Sequence, residues 1–181
     1  MTRLRVFAED SPEAPLATHT DPDTVAAGLA AIGVRFERWD TRPEVRAGDQ
    51  PERVLDAYQA DIDRIMAAGG YRSADVVSMH PEHPERAAMR RKFLEEHTHA
   101  EDEVRFFVDG EGLFTLHARG QVFEVLCQRG DLIGVPAGTA HWFDMGPNPS
   151  FCAVRIFTSP DGWAADFTGD DIAARFPRLE N

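Results

Sequence analysis

The sequence predicts an all-β barrel with helices packed against its outside. Three observations support this fold class. After Glu95, short runs of alternating apolar and polar residues recur about every ten residues, and glycine, proline, aspartate or asparagine separates them. Helical periodicity is confined to the chain before Glu95. The residues from Ser159 onward are predicted to form an acidic, loop-rich tail with scattered aromatic side chains that can pack onto the body.

A single domain is predicted for the 181 residues, of which 43% are hydrophobic and 28% are charged. This length and composition are typical of one globular unit with a buried core. Within it, residues 1–70 are predicted to be a mostly helical lead-in, residues 71–158 the core of the barrel, and residues 159–181 a tail packed on the barrel.

Three helices are predicted in the first part of the chain. The first has Asp21 as its N-cap and Pro22 at its first position, and it stops at Gly33. A short strand, "VRFERW", follows it. The second helix covers residues 51–70, where apolar side chains line one stripe. The third is predicted over residues 84–94.

Six strands are predicted in the second part, each bounded by turn residues. They are "EVRFFV", "LFTLHA", "QVFEVL", "DLIGVP", the segment from Ala140 to Phe143, and "FCAVRIF". The predicted turns between them are "DGEG", "RG", "QRGD", "PAG" and "GPNP". The side chains predicted to anchor the tail are Trp163, Phe167, Ile172 and Phe176.

Net charge, hydropathy and cysteine content argue against nucleic-acid binding, a membrane span and secretion. A net charge of −12 argues against nucleic acid as a partner. No apolar run reaches the roughly 20 residues of a membrane helix, and the N-terminus lacks the apolar region of a signal peptide, so a cytoplasmic protein is expected. Cys127 and Cys152 are predicted to be small core residues, because a cytosolic location disfavours a disulfide between them.

The stretch "EEHTHAEDEVRFFVDGEG" carries a potential metal site. His97, His99, Glu103 and Arg105 have the same parity, so an extended chain points them into one cavity. Two imidazoles and a carboxylate suit Fe, Mn, Ni, Cu or Zn, and the absence of a nearby cysteine argues against a closed structural zinc site. His141, which follows the "PAG" turn, is the predicted fourth donor. Four donors leave two positions open on an octahedral ion.

A packing role is the alternative for each histidine. An isolated His-x-His on a strand is more often a surface or packing feature than a metal site. The remaining histidines, His19, His80, His83 and His117, are predicted to have such structural roles. The joint spacing of the other three with Glu103 is what favours a metal centre.

That spacing resembles the two motifs of the cupin superfamily. The first motif, H-x-H-x(3)-E-x(6)-G, matches His97, His99, Glu103 and Gly110. The second, G-x(5)-P-x-G-x(2)-H, matches Gly130, Pro136, Gly138 and His141. Two departures are Arg91 and Met145, at positions where the pattern expects glycine and often has asparagine. The resemblance implies a cupin-type β-barrel, or jelly roll.

Within the cupins, "HTHAEDEVRFFVDGEGLFTLH" and "VPAGTAHWFDMG" resemble the bacterial acireductone dioxygenases of methionine salvage. The resemblance implies one Fe²⁺ or Ni²⁺ per chain, with His97, His99, Glu103 and His141 as ligands. It also implies the acireductone 1,2-dihydroxy-3-keto-5-methylthiopentene and O₂ as substrates. The Fe form would produce 2-keto-4-methylthiobutyrate and formate; the Ni form would produce methylthiopropionate, formate and carbon monoxide.

Further site residues follow from the same resemblance. Arg105 would help to generate and hold the substrate dianion, and Phe93 and Phe143 would be apolar walls that orient the substrate. Glu96 would serve metal incorporation, and Asp102 would relay local conformational change. Each has a plainer alternative: an exposed strand charge for Arg105, core packing for the phenylalanines, and solvated acids for the other two.

Two other functions stay open at this point. The same ligands can serve another cupin oxygenase or isomerase acting on a different enediol or diketone. A non-catalytic cupin that senses or stores a small molecule is the third possibility, although the complete donor set and Arg105 argue against it. The high net charge and the family resemblance both favour a monomer.

Overall fold

The computed structural model describes residues 1–159 and 164–180, which form an antiparallel β structure with helices outside it. The strands are β1 (Arg3–Ala8), β2 (Ala17–His19), β3 (Arg35–Arg38), β4 (Ser73–Met79), β5 (His97–Thr98), β6 (Glu103–Ala118), β7 (Gln121–Gln128), β8 (Asp131–Val135), β9 (Ala140–Asp144), β10 (Phe151–Phe157) and β11 (Asp166–Phe167). The helices are α1 (Pro22–Ala30), α2 (Pro51–Gly69), α3 (Arg86–Phe93) and α4 (Ile172–Arg175).

Two antiparallel sheets share the long strand β6. The first has the order β11-β5-β9-β6-β7-β1-β2 and uses the C-terminal half of β6. The second has the order β3-β8-β6-β10-β4 and uses the N-terminal half. The predicted mainly β class is confirmed. Within residues 1–159 and 164–180, each strand order has two free ends, so the hydrogen-bonded ladder does not close into a ring.

Strand β6 differs from its prediction. The segment "DGEG" was expected to be a turn between two strands, but residues 103–118 form one continuous strand. Gly110 has a φ of +74°, and a Cβ atom there would lie 1.9 Å from the carbonyl oxygen of Ser150. Its positive φ and the tight approach of β10 bend the chain without ending the strand. This bend lets β6 pass from one sheet to the other.

Strands β1, β2 and β4 were not predicted. Strand β1 pairs with β7 along its whole length, and Arg5 forms a salt bridge there with Glu124. Strand β4 pairs with all seven residues of β10. Their pairing partners are distant in the chain, so local patterning carries little information about them.

The predicted helices are confirmed within a few residues. Asp21 caps α1 by accepting a hydrogen bond from the backbone N–H of Thr24 at 2.9 Å. Gly70, in the left-handed conformation, ends α2. Helix α3 begins two residues later than predicted and ends at Phe93. Its last turn lies directly before β5, so α3 sets the position from which the predicted ligand stretch starts.

Apolar side chains pack on both faces of the second sheet. One cluster, which includes Phe107 and Phe143, fills the space between the sheets, while α2 packs Tyr58 and Ile62 against the outer face. The buried residues of the cluster between the sheets are Leu4, Val25, Leu29, Val34, Phe36, Met79, Phe107, Phe114, Leu116, Phe123, Val125, Cys127, Ile133, Val135, Phe143, Met145, Phe151 and Ala153. The core location of Cys127 and Cys152 is confirmed, since both are buried free thiols.

The tail is anchored by part of the predicted set. Ile172 and Phe176 are buried in a cluster with Phe7. The side chain of Phe167 is 46% exposed, but its ring lies 5.9 Å from that of His97. Trp163 lies outside the described residues. Across the part of the chain that is described, no helix is both long enough and apolar enough to span a bilayer.

Candidate metal centre

Four side chains from two strands of the first sheet, the loop after β5 and the start of β6 converge on one point. His97 lies on β5, His99 in the loop after it, Glu103 at the start of β6, and His141 on β9. Strand pairing places His97 directly opposite His141. One potential ligand atom from each of the four side chains lies within 4.8 Å of the others, and all four are buried. The predicted convergence is confirmed, and the four residues form a metal-binding site.

The ring orientation of the histidines is set by the backbone. The Nδ1 atom of each ligand histidine lies against a carbonyl oxygen. The pairs are His97 with Glu95 at 2.7 Å, His99 with Ala164 at 2.7 Å, and His141 with Thr139 at 2.8 Å. A carbonyl oxygen only accepts, so each Nδ1 donates its proton there, and Nε2 of the neutral ring is the atom available to a metal. This tautomer is the one that an Nε2 metal ligand needs.

Glu103 is the anionic member of the centre. Its Oε2 lies 3.0 Å from Nε2 of His99 and 3.1 Å from Nε2 of His141. Its Oε1 lies 2.8 Å from Nε of Arg105. Burial acts to raise the pKa of this carboxyl group, but the Arg105 charge and the two imidazoles outweigh burial and hold the pKa well below its usual range. Glu103 is therefore a carboxylate at neutral pH.

The environments of the imidazoles differ. Burial lowers the pKa of His97 to about 4, so its ring is neutral at pH 7 and available as a ligand. For His99, burial acts in the same direction, but hydrogen bonding to Glu103 and to Ala164 raises the pKa overall. Three imidazole nitrogens and one carboxylate fit a divalent transition metal, because they offer borderline donors and one compensating negative charge.

Arg105 extends from β6 beside this centre. Its side chain is 6% exposed, and its guanidinium carbon lies 4.8 Å from the ring centroid of Phe143 and 5.4 Å from that of Phe114. Burial lowers the pKa of the Arg105 guanidinium, and the neighbouring Glu103 opposes that shift. An arginine remains charged at neutral pH even so. The centre thus has a fixed cation held between aromatic rings.

A cavity of about 480 Å³ opens onto the four ligands. Arg105, Phe93 and Phe143 line it, and the two phenylalanine rings meet edge to face with centroids 6.5 Å apart. A volume of this size suits a small organic molecule. The structure therefore places these three residues where the sequence predicted them, while their individual roles stay predictions.

The sequence analysis missed several residues that line the cavity. Asp75 and Arg155 form a bidentate ion pair with distances of 2.7 and 2.6 Å, and Lys92 lies beside Phe93. Strand register places Arg155 opposite both Asp75 on β4 and Arg105 on β6. A single arginine inside the apolar strand "FCAVRIF" was the available signal for Arg155. Asp75 had none, because β4 itself was not predicted.

Glu96 does not face the cavity. Its Oε1 accepts a hydrogen bond from the Thr168 hydroxyl at 2.8 Å, and its Oε2 lies 2.9 Å from Nδ1 of His117. The second ring nitrogen of His117 lies 3.1 Å from Glu9. Glu96 thus fixes His117, whereas backbone carbonyls fix the ligand histidines. The role of Glu96 in metal incorporation stays a prediction.

Asp102 also points away from the cavity lining. Its Oδ1 accepts a hydrogen bond from the backbone N–H of Ala137 at 2.9 Å, and its Oδ2 lies 3.4 Å from the Tyr71 hydroxyl. The N–H of Gly138 donates to the carbonyl oxygen of His99 at 2.9 Å. These contacts join the loop that carries His99 to the turn before β9. Asp102 thereby connects the two segments that supply ligands, which is compatible with its predicted relay role.

Comparison with known proteins identifies the family. The model of the ARD/ARD' family matches residues 3–165. The chain belongs to this family. It is 56% identical over 178 residues to the acireductone dioxygenase of Alcanivorax borkumensis, covering 98% of both chains. It is 54% identical over 181 residues to that of Pseudomonas aeruginosa, covering 100% of both. Membership of this family makes the chain an O₂-incorporating oxidoreductase.

A solved structure supports the same assignment. The acireductone dioxygenase of Bacillus anthracis superposes with a TM-score of 0.81 at 28% identity, over 92% of this chain and 98% of that one. That protein holds a cadmium ion in its active centre. The predicted cupin-type fold is confirmed by this match. The metal-binding site of the present chain is thus found in a family with a solved member that carries a metal ion.

Proposed function

We propose that the chain cleaves the acireductone 1,2-dihydroxy-3-keto-5-methylthiopentene with O₂, as a metal-dependent dioxygenase of methionine salvage. The observation that carries this proposal is the buried centre of three histidines and one glutamate, with Arg105 fixed beside it at the cavity. An enediol ionises to an anion, and both a divalent ion and a guanidinium stabilise negative charge at such a site. The full-length similarity to acireductone dioxygenases supports the choice of substrate.

His97, His99, Glu103 and His141 would hold the ion, which when bound would act as a Lewis acid on the enediol oxygens and lower the cost of their ionisation. Arg105 donates hydrogen bonds to the anion that forms, and because its guanidinium is already buried and packed on Phe143, it needs little reorganisation to do so. The carboxylate of Glu103 faces Arg105 and keeps its Nε in place.

The aromatic walls would orient the rest of the substrate. Phe93 and Phe143 provide apolar surface on one side of the cavity. This surface suits the methylthio end of the substrate and leaves the enediol for the metal centre. Their rings also keep water away from the anion, which strengthens its attraction to Arg105 and protects the electron-rich substrate until O₂ arrives.

Fe²⁺ and Ni²⁺ are the proposed ions, one per chain. Three nitrogen donors and one oxygen donor accept both, so supply and coordination geometry decide between them. With Fe²⁺ the expected products are 2-keto-4-methylthiobutyrate and formate. With Ni²⁺ they are methylthiopropionate, formate and carbon monoxide.

The test is O₂ consumption by protein loaded separately with each ion, with the acireductone prepared under anaerobic conditions. Product analysis by mass spectrometry and a carbon monoxide assay then separates the two outcomes. Fe-loaded protein that leaves the acireductone intact in the presence of O₂ would refute the proposed function. Rapid turnover of a different enediol by the same protein would assign another substrate.

We infer further that the protein acts as a cytoplasmic monomer whose partners are the acireductone and O₂, with no nucleic acid or membrane. Its net charge of −12 disfavours nucleic acid and self-association at low ionic strength. Light scattering after size exclusion tests the monomer directly, and a mass of twice 20.2 kDa would refute it.

A further inference from the structure

Lys92 is the only lysine in the sequence. It lies in the last turn of α3, immediately before Phe93, and its side chain is exposed while also lining the cavity that leads to the metal centre. Its neighbour Arg91 lies in the same turn but does not line the cavity. Lys92 thus combines access to solvent with access to the site.

Among the described residues, two of the three cationic side chains that line the cavity are paired with a carboxylate, and one is not. Arg105 is paired with Glu103, and Arg155 is paired with Asp75. Within the described part of the chain, Lys92 forms no salt bridge. With the ligand imidazoles neutral, as coordination requires, the protein lining therefore has one uncompensated positive charge, and it stands at the exposed side of the cavity. The molecule as a whole carries a net charge of −12.

We propose that Lys92 captures the anionic substrate at the mouth of the cavity and makes the enzyme select anions over neutral ligands of the same shape. The proposal rests on the proposed function for the identity of the substrate. An ammonium group on a flexible stem can follow a ligand from solvent to the site. Clefts lined by charge of one sign raise the association rate of an oppositely charged ligand by about 10- to 1,000-fold, and one uncompensated charge corresponds to the lower end of that range.

The kinetic test compares two variants that lose the same charge. Lys92→Met keeps most of the stem and removes the ammonium group, and Arg91→Met removes a charge one residue away, outside the cavity. We expect Lys92→Met to lower kcat/KM for the acireductone about 10-fold, mainly through KM, with kcat nearly unchanged. The residual rate should also depend less on ionic strength. Arg91→Met should remain close to wild type, and equal effects of the two substitutions would overturn the proposal.

A second test does not depend on turnover. Reductive methylation with ¹³C-formaldehyde labels Lys92 and the N-terminal amine, so the spectrum has one side-chain signal. In Zn-loaded protein, which is diamagnetic, we expect titration with 2-keto-4-methylthiobutyrate to move the Lys92 signal saturably and 0.5 M salt to suppress the shift. The methyl ester of the same acid, which is neutral, should leave the signal in place. If the acid does not shift the Lys92 signal, or if the ester shifts it equally, the proposal is overturned.

The two tests also separate this proposal from the proposed function. If wild-type protein shows no acireductone cleavage but the acid still moves the Lys92 signal, the substrate assignment is wrong and Lys92 remains an anion contact. If cleavage is normal, the signal does not move, and Lys92→Met behaves like Arg91→Met, the function stands and Lys92 has no part in capture.

Discussion

Arg105 is the residue on which the charge of the deep cavity depends. Its guanidinium is buried, faces Glu103 at 2.8 Å and packs on Phe143. Burying a cation costs desolvation free energy, and an apolar side chain could fill the same space without that cost. Its position therefore indicates a use for the charge itself, which is the stabilisation of a substrate anion.

Replacement of Arg105 by methionine should separate metal binding from catalysis. Methionine preserves much of the volume and removes the charge, so the variant should retain its metal and lose about 100-fold or more in kcat/KM. Metal content by plasma mass spectrometry and O₂ uptake measure the two properties. As a comparison, His141→Ala should lose metal and activity together, because it removes a ligand. A fully active Arg105→Met protein would exclude Arg105 from the chemistry.

The contrast between Glu103 and Asp75 explains which site residues could be predicted from sequence. His97, His99 and Glu103 lie within seven residues, and strand parity relates them locally. Asp75 reaches the cavity only because β4 pairs with β10, which places it opposite Arg155. That pairing joins positions 80 residues apart, and no local pattern encodes it.

Strand β6 shows the same limit at the scale of elements. Its apolar alternation predicted strands on both sides of "DGEG", and both were found. The continuity between them depends on Ser150, directly before β10, whose carbonyl oxygen approaches Gly110. A glycine in close contact with a neighbouring backbone bends the strand, whereas the sequence "DGEG" without that contact is typical of a turn.

Substitution of Gly110 by alanine should therefore destabilise the junction of the two sheets. The added Cβ atom would meet backbone atoms at 1.9 Å and 2.6 Å, which cannot move away as a flexible side chain can. We expect a loss of about 3 kcal/mol in the free energy of unfolding beyond the cost of the positive φ alone. Urea denaturation measures it.

Gly48→Ala is the matched control for this prediction. Gly48 also has a positive φ, of +92°, but nothing lies within 4 Å of the Cβ position. It therefore reports the conformational cost without the steric one, about 1–2 kcal/mol. Equal destabilisation by the two alanines would mean that the approach of β10 does not determine the bend.

His117 connects three elements and makes stability depend on pH. Its ring lies between Glu96, before β5, and Glu9, after β1. Burial acts to lower the pKa of His117, but hydrogen bonds and charges of the two glutamates outweigh it and raise the pKa above 6.5. The stabilisation is then complete below about pH 6.5 and is lost as pH rises through the folded-state pKa.

The corresponding measurement is the difference in Tm between wild type and His117→Gln across pH. The difference should be largest near pH 6 and should shrink toward pH 9, because the neutral ring gains less from two carboxylates. His80→Gln, at an exposed position in the loop after β4, serves as the control and should change Tm little at any pH. A difference for His117→Gln that grows with pH would contradict the assigned direction.

For the molecule as a whole, the sequence predicted the individual strands and helices better than the way in which they pair and pack. Alternation and turn residues located the strands from β6 to β10, capping residues located α1, and 3.6-residue periodicity located α2. The pairing order, the path of β6 between sheets and the N-terminal strands depend on contacts between distant segments. The metal ligands could be predicted because both motifs that carry them are short, even though the fold has to bring those motifs together.

Because the ligands come from segments that only the native fold assembles, metal removal should weaken the whole molecule. His97, Glu103 and His141 lie on three different strands, and His99 is held by the carbonyl oxygen of Ala164 in the tail. An ion that binds the folded state alone stabilises it by about 2.7 kcal/mol at a concentration 100-fold above its Kd. Chelation should therefore lower Tm by several degrees, and added Ni²⁺ should restore it.

His99→Gln supplies the control for metal removal. The variant loses one Nε2 donor, so its Tm should respond little to chelator or to Ni²⁺. Differential scanning calorimetry of both proteins, with and without metal, gives the comparison. If wild type kept the same Tm after complete metal removal, the ion would not bind preferentially to the folded state. In that case the four side chains would be assembled by packing alone, and the bound ion would contribute to chemistry without contributing to stability.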